Sequence, residues 1–138
     1  MQTVTPMIAY RDGMAAVAWL ERAFGFRPVR TMQDPSGRLA HGEMDVGDGS
    51  LVMLATPSPD YEGPRQHRAG CDAARRWSSV PYVIDGVLVV VADADAHCAR
   101  ARAAGATILS EPQDTPVGRQ YRAEDVEGHR WMFLAPRG

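Results

Sequence analysis

The chain has only two cysteines, Cys71 in a polar stretch and Cys98 inside a helical pattern. No disulfide framework is implied, and a reducing cytoplasm is the expected location. Basic excess is also missing: 15 Lys and Arg stand against 17 Asp and Glu, and the pair Arg75-Arg76 is too short to make a phosphate-binding surface. Nucleic acid is therefore not an expected partner. The longest apolar run, Val87 to Ala92, is far too short to cross a bilayer, and no basic-plus-apolar leader opens the chain, so no membrane partner is expected either. Glycine-rich phosphate loops, Gly-x-Ser-x-Gly elbows and paired zinc histidines on a helix do not occur. What remains is a chain of 138 residues, 45% hydrophobic, long enough to bury roughly two thirds of its unfolded surface in one core without staples.

Within that chain, one pattern occurs twice. Met7 to Asp12 leads into Gly13 to Phe24 and stops at Gly25; Val87 to Asp93 leads into Ala94 to Ala104 and stops at Gly105. Each unit places an aspartate where a helix N-cap is wanted and a glycine where a left-handed C-cap is wanted. The first helical stretch carries Met14, Val17, Ala18, Trp19, Leu20 and Phe24 on or beside one face; the second carries alanines and Cys98, with His97 expected in solvent. After each helix come three strand-like pieces, Phe26 to Met32, Leu39 to Val46 and Ser50 to Thr56, then Ala106 to Ser110, Arg119 to Ala123 and His129 to Leu134. Turn compositions such as Asp34-Pro35-Ser36-Gly37 and Gly47-Asp48-Gly49 make these antiparallel neighbours. Each module reads βαβββ, so the repeat predicts an α+β domain over 1–138: module one 1–56, a linker or lid 57–85, and module two 86–138. The connecting stretch is rich in breakers, hints at helix only over Ala73 to Trp77, and holds Tyr61, Trp77 and Tyr82, more aromatics than an idle linker needs.

These modules, the opening Pro6-Met7-Ile8-Ala9-Tyr10-Arg11-Asp12, the Ala23-Phe24-Gly25-Phe26 exit and the closing Glu124-Asp125-Val126-Glu127-Gly128-His129-Arg130-Trp131-Met132-Phe133 resemble the vicinal-oxygen-chelate superfamily. That superfamily groups glyoxalase I, bleomycin resistance proteins and extradiol dioxygenases. The resemblance implies an eight-stranded, cup-like mixed sheet with helices outside, a ligand in the concavity and a homodimer. In the metalloenzymes, a His or Glu comes from the first and last strand of each module. The corresponding positions here are about Thr5, Leu54, Val87 and Met132, none of which offers an imidazole or carboxylate. The nearest acid is Asp85. No metal and no cofactor are expected, as in the bleomycin resistance branch.

Polar candidates are few. His41 and Glu43 share one face of a strand whose other face carries Ala40, Met44 and Val46, and would point into the cup if the apolar face meets the helices. Tyr121 and Arg119 alternate on another strand and would suit a planar or anionic ligand. His129 reads as a hairpin tie, Trp131 and Phe133 as core, and Met132 as part of an apolar floor with Leu54 and Val87. His67 and Cys71 are four apart but separated by Gly70. The expected ligand-binding set is thus His41, Glu43, Leu54, Trp77, Val87, Tyr121 and Met132. The expected function is binding of a small organic molecule without transforming it. Left open are a cofactor-free lyase or isomerase using Glu43 or His41 as acid or base, a metalloenzyme with differently placed ligands, and an interaction module using the linker.

Overall fold

The computed structural model describes residues 2–82 and 85–137; residues 83 and 84, in the connecting stretch, lie outside the described residues. Module one contains β1 Met7–Ala9, α1 Gly13–Phe24, β2 Arg27–Gln33, β3 Leu39–Gly47 and β4 Ser50–Ala55. Module two contains β5 Gly86–Val90, α4 Ala94–Ala103, β6 Thr107–Thr115, β7 Gly118–Glu124 and β8 Arg130–Pro136. The expected α+β architecture is present. Its eight strands form two four-stranded mixed sheets, ordered β1-β4-β3-β2 and β5-β8-β7-β6, each hydrogen-bonded within its own module. The edge strands β1 and β5 run parallel to β4 and β8, and the remaining pairs are antiparallel.

Both main helices start as the sequence predicts. The Asp12 carboxylate accepts from Ala15 N at 3.0 Å and Asp93 from Ala96 N at 3.0 Å, each satisfying an orphan donor of a first turn. Gly25 closes α1 in the left-handed region at φ 74°, where a side chain would be strained. On α1 the buried face is Gly13, Ala16, Val17, Trp19, Leu20, Ala23 and Phe24, while Ala18 is exposed rather than on the stripe.

The two modules share one core. α1 packs on α4, Phe24 sits edge-on to Trp131 and Phe133 with Phe26 tilted against the same two rings, and Trp19 Nε1 donates to Ala104 O at 2.9 Å. The helix-facing sides of both sheets contribute: Leu39, Met44, Val52 and Leu54 from one, Val89, Tyr121, Ala123, Trp131 and Phe133 from the other.

A polar clasp ties module two to the start of module one. The buried Asp125 carboxylate accepts from Tyr10 Oη at 2.5 Å, Trp131 Nε1 at 3.0 Å, and the backbone N–H groups of Glu127 and His129 at 3.0 Å each. Burial and that carboxylate push the Tyr10 phenol well above its ordinary pKa, so it stays a donor. Glu127 accepts from Arg11 N at 2.6 Å and Asp12 N at 2.8 Å, and His129 Nε2 donates to Ala9 O at 2.6 Å, which fits the structural role expected for His129. Replacing Asp125 with Ala strands four donors at once, two of them fully buried, for an expected loss of at least about 3 kcal/mol by urea denaturation. Tyr10→Phe leaves the carboxylate three donors and should cost about 1 kcal/mol. Equal losses in the two variants would contradict this account.

Candidate functional site

Strand pairing decides which residues share the face of each sheet turned away from the helices, here called the open face. In module one, Met7 is opposite Met53, and Met53 is opposite Glu43. Glu43 lies opposite Arg30, and His41 opposite Met32. In module two, Leu88 is opposite Met132 and Met132 opposite Arg122, while Gly86 is opposite Arg130 and Arg130 opposite Glu124.

The predicted site residues divide accordingly. His41 and Glu43 are together on an open face, half-buried, with Nε2 and Oε1 3.1 Å apart. The apolar side of that strand differs from expectation at one end: a register irregularity beside Leu39 turns it inward and leaves Ala40 exposed, while Met44 is buried as expected. Met132 is on the open face of module two. Leu54 is not on an open face; it is buried at 1% exposure in the core, opposite Ile8 and Gly42. Val87 likewise faces inward against the core, opposite Trp131, though its edge reaches the cavity described below. Tyr121 is fully buried on the helix side, and Arg119 beside it pairs with Asp95 at 2.7 Å and Asp114 at 3.1 Å. Trp77 is 64% exposed on α3 and does not line that cavity.

His97 also departs from expectation. Instead of facing solvent it is half-buried between the modules, its Nε2 donating to Phe24 O at 2.9 Å and its Nδ1 accepting from Tyr121 Oη at 2.5 Å. Phe24 O can only accept, so Nε2 carries a proton, and burial holds the ring's pKa below the ordinary histidine value, which favours the neutral form.

The connecting stretch is folded over module two. It forms α2 Pro64–Ala69 and α3 Asp72–Ser78, so helix extends beyond the Ala73 to Trp77 hint. Gly70 ends α2, which keeps His67 and Cys71 off a common helix. All fifteen Lys and Arg positions of the chain are arginines, and three of them tie this stretch to module two. Arg130 Nε donates to Glu124 Oε2 at 3.0 Å, and its two terminal nitrogens donate to Val80 O at 3.0 Å and Ser78 O at 2.6 Å. Arg68 reaches the same Glu124 oxygen at 2.9 Å, and Arg65 donates to Asp125 O and Val126 O at 2.8 Å. Gly128, at φ 92°, lets α2 approach: a Cβ there would lie 2.8 Å from Arg65 N.

Under the lid's exit is a cavity of about 190 Å³ lined by Pro81, Tyr82, Leu88, Arg122, Arg130 and Met132 together with Gly86, Val87 and Trp131. A neighbouring cleft of about 320 Å³ runs between β1 and the β5–β8 edge and includes Asp85. Of the lining residues, Arg122, Arg130 and Leu88 were not among the sequence candidates. The stretch Val87 to Val91 is apolar throughout, so alternation could not reveal which side faces the cavity, whereas the arginine that opens the otherwise apolar strand β8 was a readable signal.

The open-face positions nearest the expected metal-binding quartet carry thioethers and alkyl groups: Met7, Met53, Leu88 and Met132. This donor set does not fit a hard or borderline cation. Among the described residues, no group of three His, Cys, Asp or Glu side chains comes together to hold a metal.

Comparison with known proteins agrees with this architecture. A profile of the Glyoxalase/Bleomycin resistance protein/Dioxygenase superfamily matches residues 3–133. The crystal structure of TioX from Micromonospora sp. ML1 superposes with a TM-score of 0.68 at 34% identity, covering 99% of this chain and 98% of that one. TnmS3, an antibiotic binding protein from Streptomyces sp. CB03234, superposes with a TM-score of 0.64 at 19% identity, covering 99% and 98%. An uncharacterized protein of Mycobacterium tuberculosis, Rv0887c, is 27% identical over 96% of this chain and 74% of its own length.

Two outcomes test the site's framework. Glu124→Gln removes the only carboxylate that, among the described residues, pairs with Arg130 and Arg68, an expected loss of about 3–5 kcal/mol, with the first proteolytic cuts appearing between residues 57 and 82. Cuts elsewhere first would mean the network does not anchor the lid. For His97, stability should be full above about pH 6.5 and fall as pH drops below that value, because the unfolded chain binds a proton that the folded imidazole resists. His97→Gln should flatten that decline; an unchanged profile would exclude His97 as its source.

Proposed function

The chain belongs to the glyoxalase/bleomycin resistance protein/dioxygenase superfamily, and from that premise we propose that it binds a small, partly apolar organic molecule on the open face of its sheets, without a metal and without transforming it. The observation that carries the reading is the set Met7, Met53, Leu88 and Met132, which offers apolar contact where coordination would need imidazole or carboxylate. The ordered lid supports it, because its exit roofs a cavity over Leu88 and Met132. TnmS3, whose fold this chain shares, is an antibiotic binding protein, which makes an antibiotic a reasonable ligand class to screen. Of the original binding set, His41, Glu43 and Met132 are retained on the open faces, and Val87 at the cavity edge.

The proposal includes a homodimer. Met7 at 78% exposure, Met32, Leu88 and Val90 leave both open faces apolar in the single chain, and a second copy would cover them while enclosing the ligand.

A thermal-shift screen against divalent metals and an antibiotic-rich small-molecule library tests the reading, since anything that binds only the folded form raises the melting temperature. Organic hits without metal hits are expected; stoichiometric metal in the purified protein would overturn it. Sedimentation of a monomer at all concentrations would remove the dimer.

The His41–Glu43 contact favours a second reading, a cofactor-free acid–base enzyme acting next to a carbonyl. Glu43→Gln should leave ligand affinity within about threefold under the binding reading. Loss of turnover with retained binding would instead establish the enzyme.

A further inference from the structure

We infer that Arg122 is the anchor for an anionic group, and that the lid cavity takes the carboxylate-bearing ring of a planar aromatic acid; the inference rests on the small-molecule reading above. Among the described residues, two arginines line this cavity and no acidic side chain does. Arg130 is already committed, its guanidinium bonded to Glu124 and to the carbonyls of Ser78 and Val80. Arg122 is different: among the described residues it has neither an ion-pair partner nor a hydrogen-bond acceptor, and its guanidinium carbon lies 5.9 Å from the centre of the Tyr82 ring. Asp85 lines the neighbouring cleft rather than this cavity. The nearest carboxylate on its strand face, Glu124, is shared among Arg65, Arg68 and Arg130.

The remaining surface is apolar or aromatic: Leu88 and Met132 beneath, Pro81 and Tyr82 above. A guanidinium presents a planar fork that matches a carboxylate edge-on, and a flat ring joined to that carboxylate would lie between the Tyr82 ring and the alkyl and thioether floor. At about 190 Å³ the space is smaller than the roughly 300–1,000 Å³ that encloses a drug-sized ligand, so it fits one small aromatic acid or the acidic end of a larger molecule.

The test uses 2-naphthoate and its uncharged isostere 2-naphthamide, titrated calorimetrically into the full-length protein. Naphthoate should bind at least about tenfold more tightly than the amide, as a charge-assisted pair implies, and raised NaCl should weaken the acid alone. In Arg122→Gln the preference should collapse to about unity, while Arg122→Lys keeps part of it and Arg119→Gln, on the opposite side of β7, keeps all of it. Equal binding of acid and amide to the unaltered protein, or an unchanged preference in Arg122→Gln, overturns the anionic subsite but leaves the broader reading intact. Binding of neither compound also overturns the subsite, and the library screen then decides the broader reading separately.

Discussion

One buried carboxylate sets the geometry on which the rest of this protein depends. Asp125 is about 1% exposed, in the turn between the last two strands, and its two oxygens gather a tyrosine and a tryptophan from different modules with two backbone N–H groups of its own loop. A charge in such a place is tolerated only when fully hydrogen-bonded, and that requirement specifies one docking of module two on module one. Glu127 and His129 extend the clasp to the backbone at Ala9, Arg11 and Asp12, just where β1 gives way to α1. The apolar core supplies most of the driving force but is not directional; the clasp supplies the direction.

The same turn carries the lid. Arg65 binds the carbonyls of Asp125 and Val126, and Glu124 receives Arg68 and Arg130, so the stretch that separates the modules in sequence is folded onto module two in space. Buried ion pairs contribute little net stability compared with apolar packing, but leaving one partner unpaired is costly. The network therefore ties the connecting stretch to module two, beside the cavity lined by Pro81 and Tyr82. Its apolar floor, with open-face methionines and leucine in place of metal-binding groups, is the physical basis for reading the protein as a small-molecule binder.

Much of this was legible in the residues. The Asp12 and Asp93 caps, the glycine stops, the hairpin turns, the two modules and the core role of Trp131 and Phe133 all follow from local chemistry, and the structure has them. Placement by face was less legible. The resemblance puts Leu54 and Val87 on the ligand side, but pairing puts their neighbours Met53 and Leu88 there. Strand side chains alternate, so an offset of one reverses the face, and β4 and β5 are apolar on both sides and give no warning. Tyr121 and Arg119 were correctly placed on one face, but that face meets α4, where Asp95 and His97 satisfy them.

By itself the sequence determined the repeat, most of the secondary structure and which residue types stand at Thr5, Leu54, Val87 and Met132, because capping, turn geometry and residue chemistry are local properties. Only the tertiary structure decided which side of each sheet is open, that His97 is a neutral bridge between modules, and that residues far apart in the chain assemble Arg122, Tyr82, Leu88 and Met132 around one cavity. Those outcomes depend on strand register and on where buried charges find partners, and pairings such as Met7 with Met53, Leu88 with Met132 and Arg68 with Glu124 settle both, rather than any short stretch of chain.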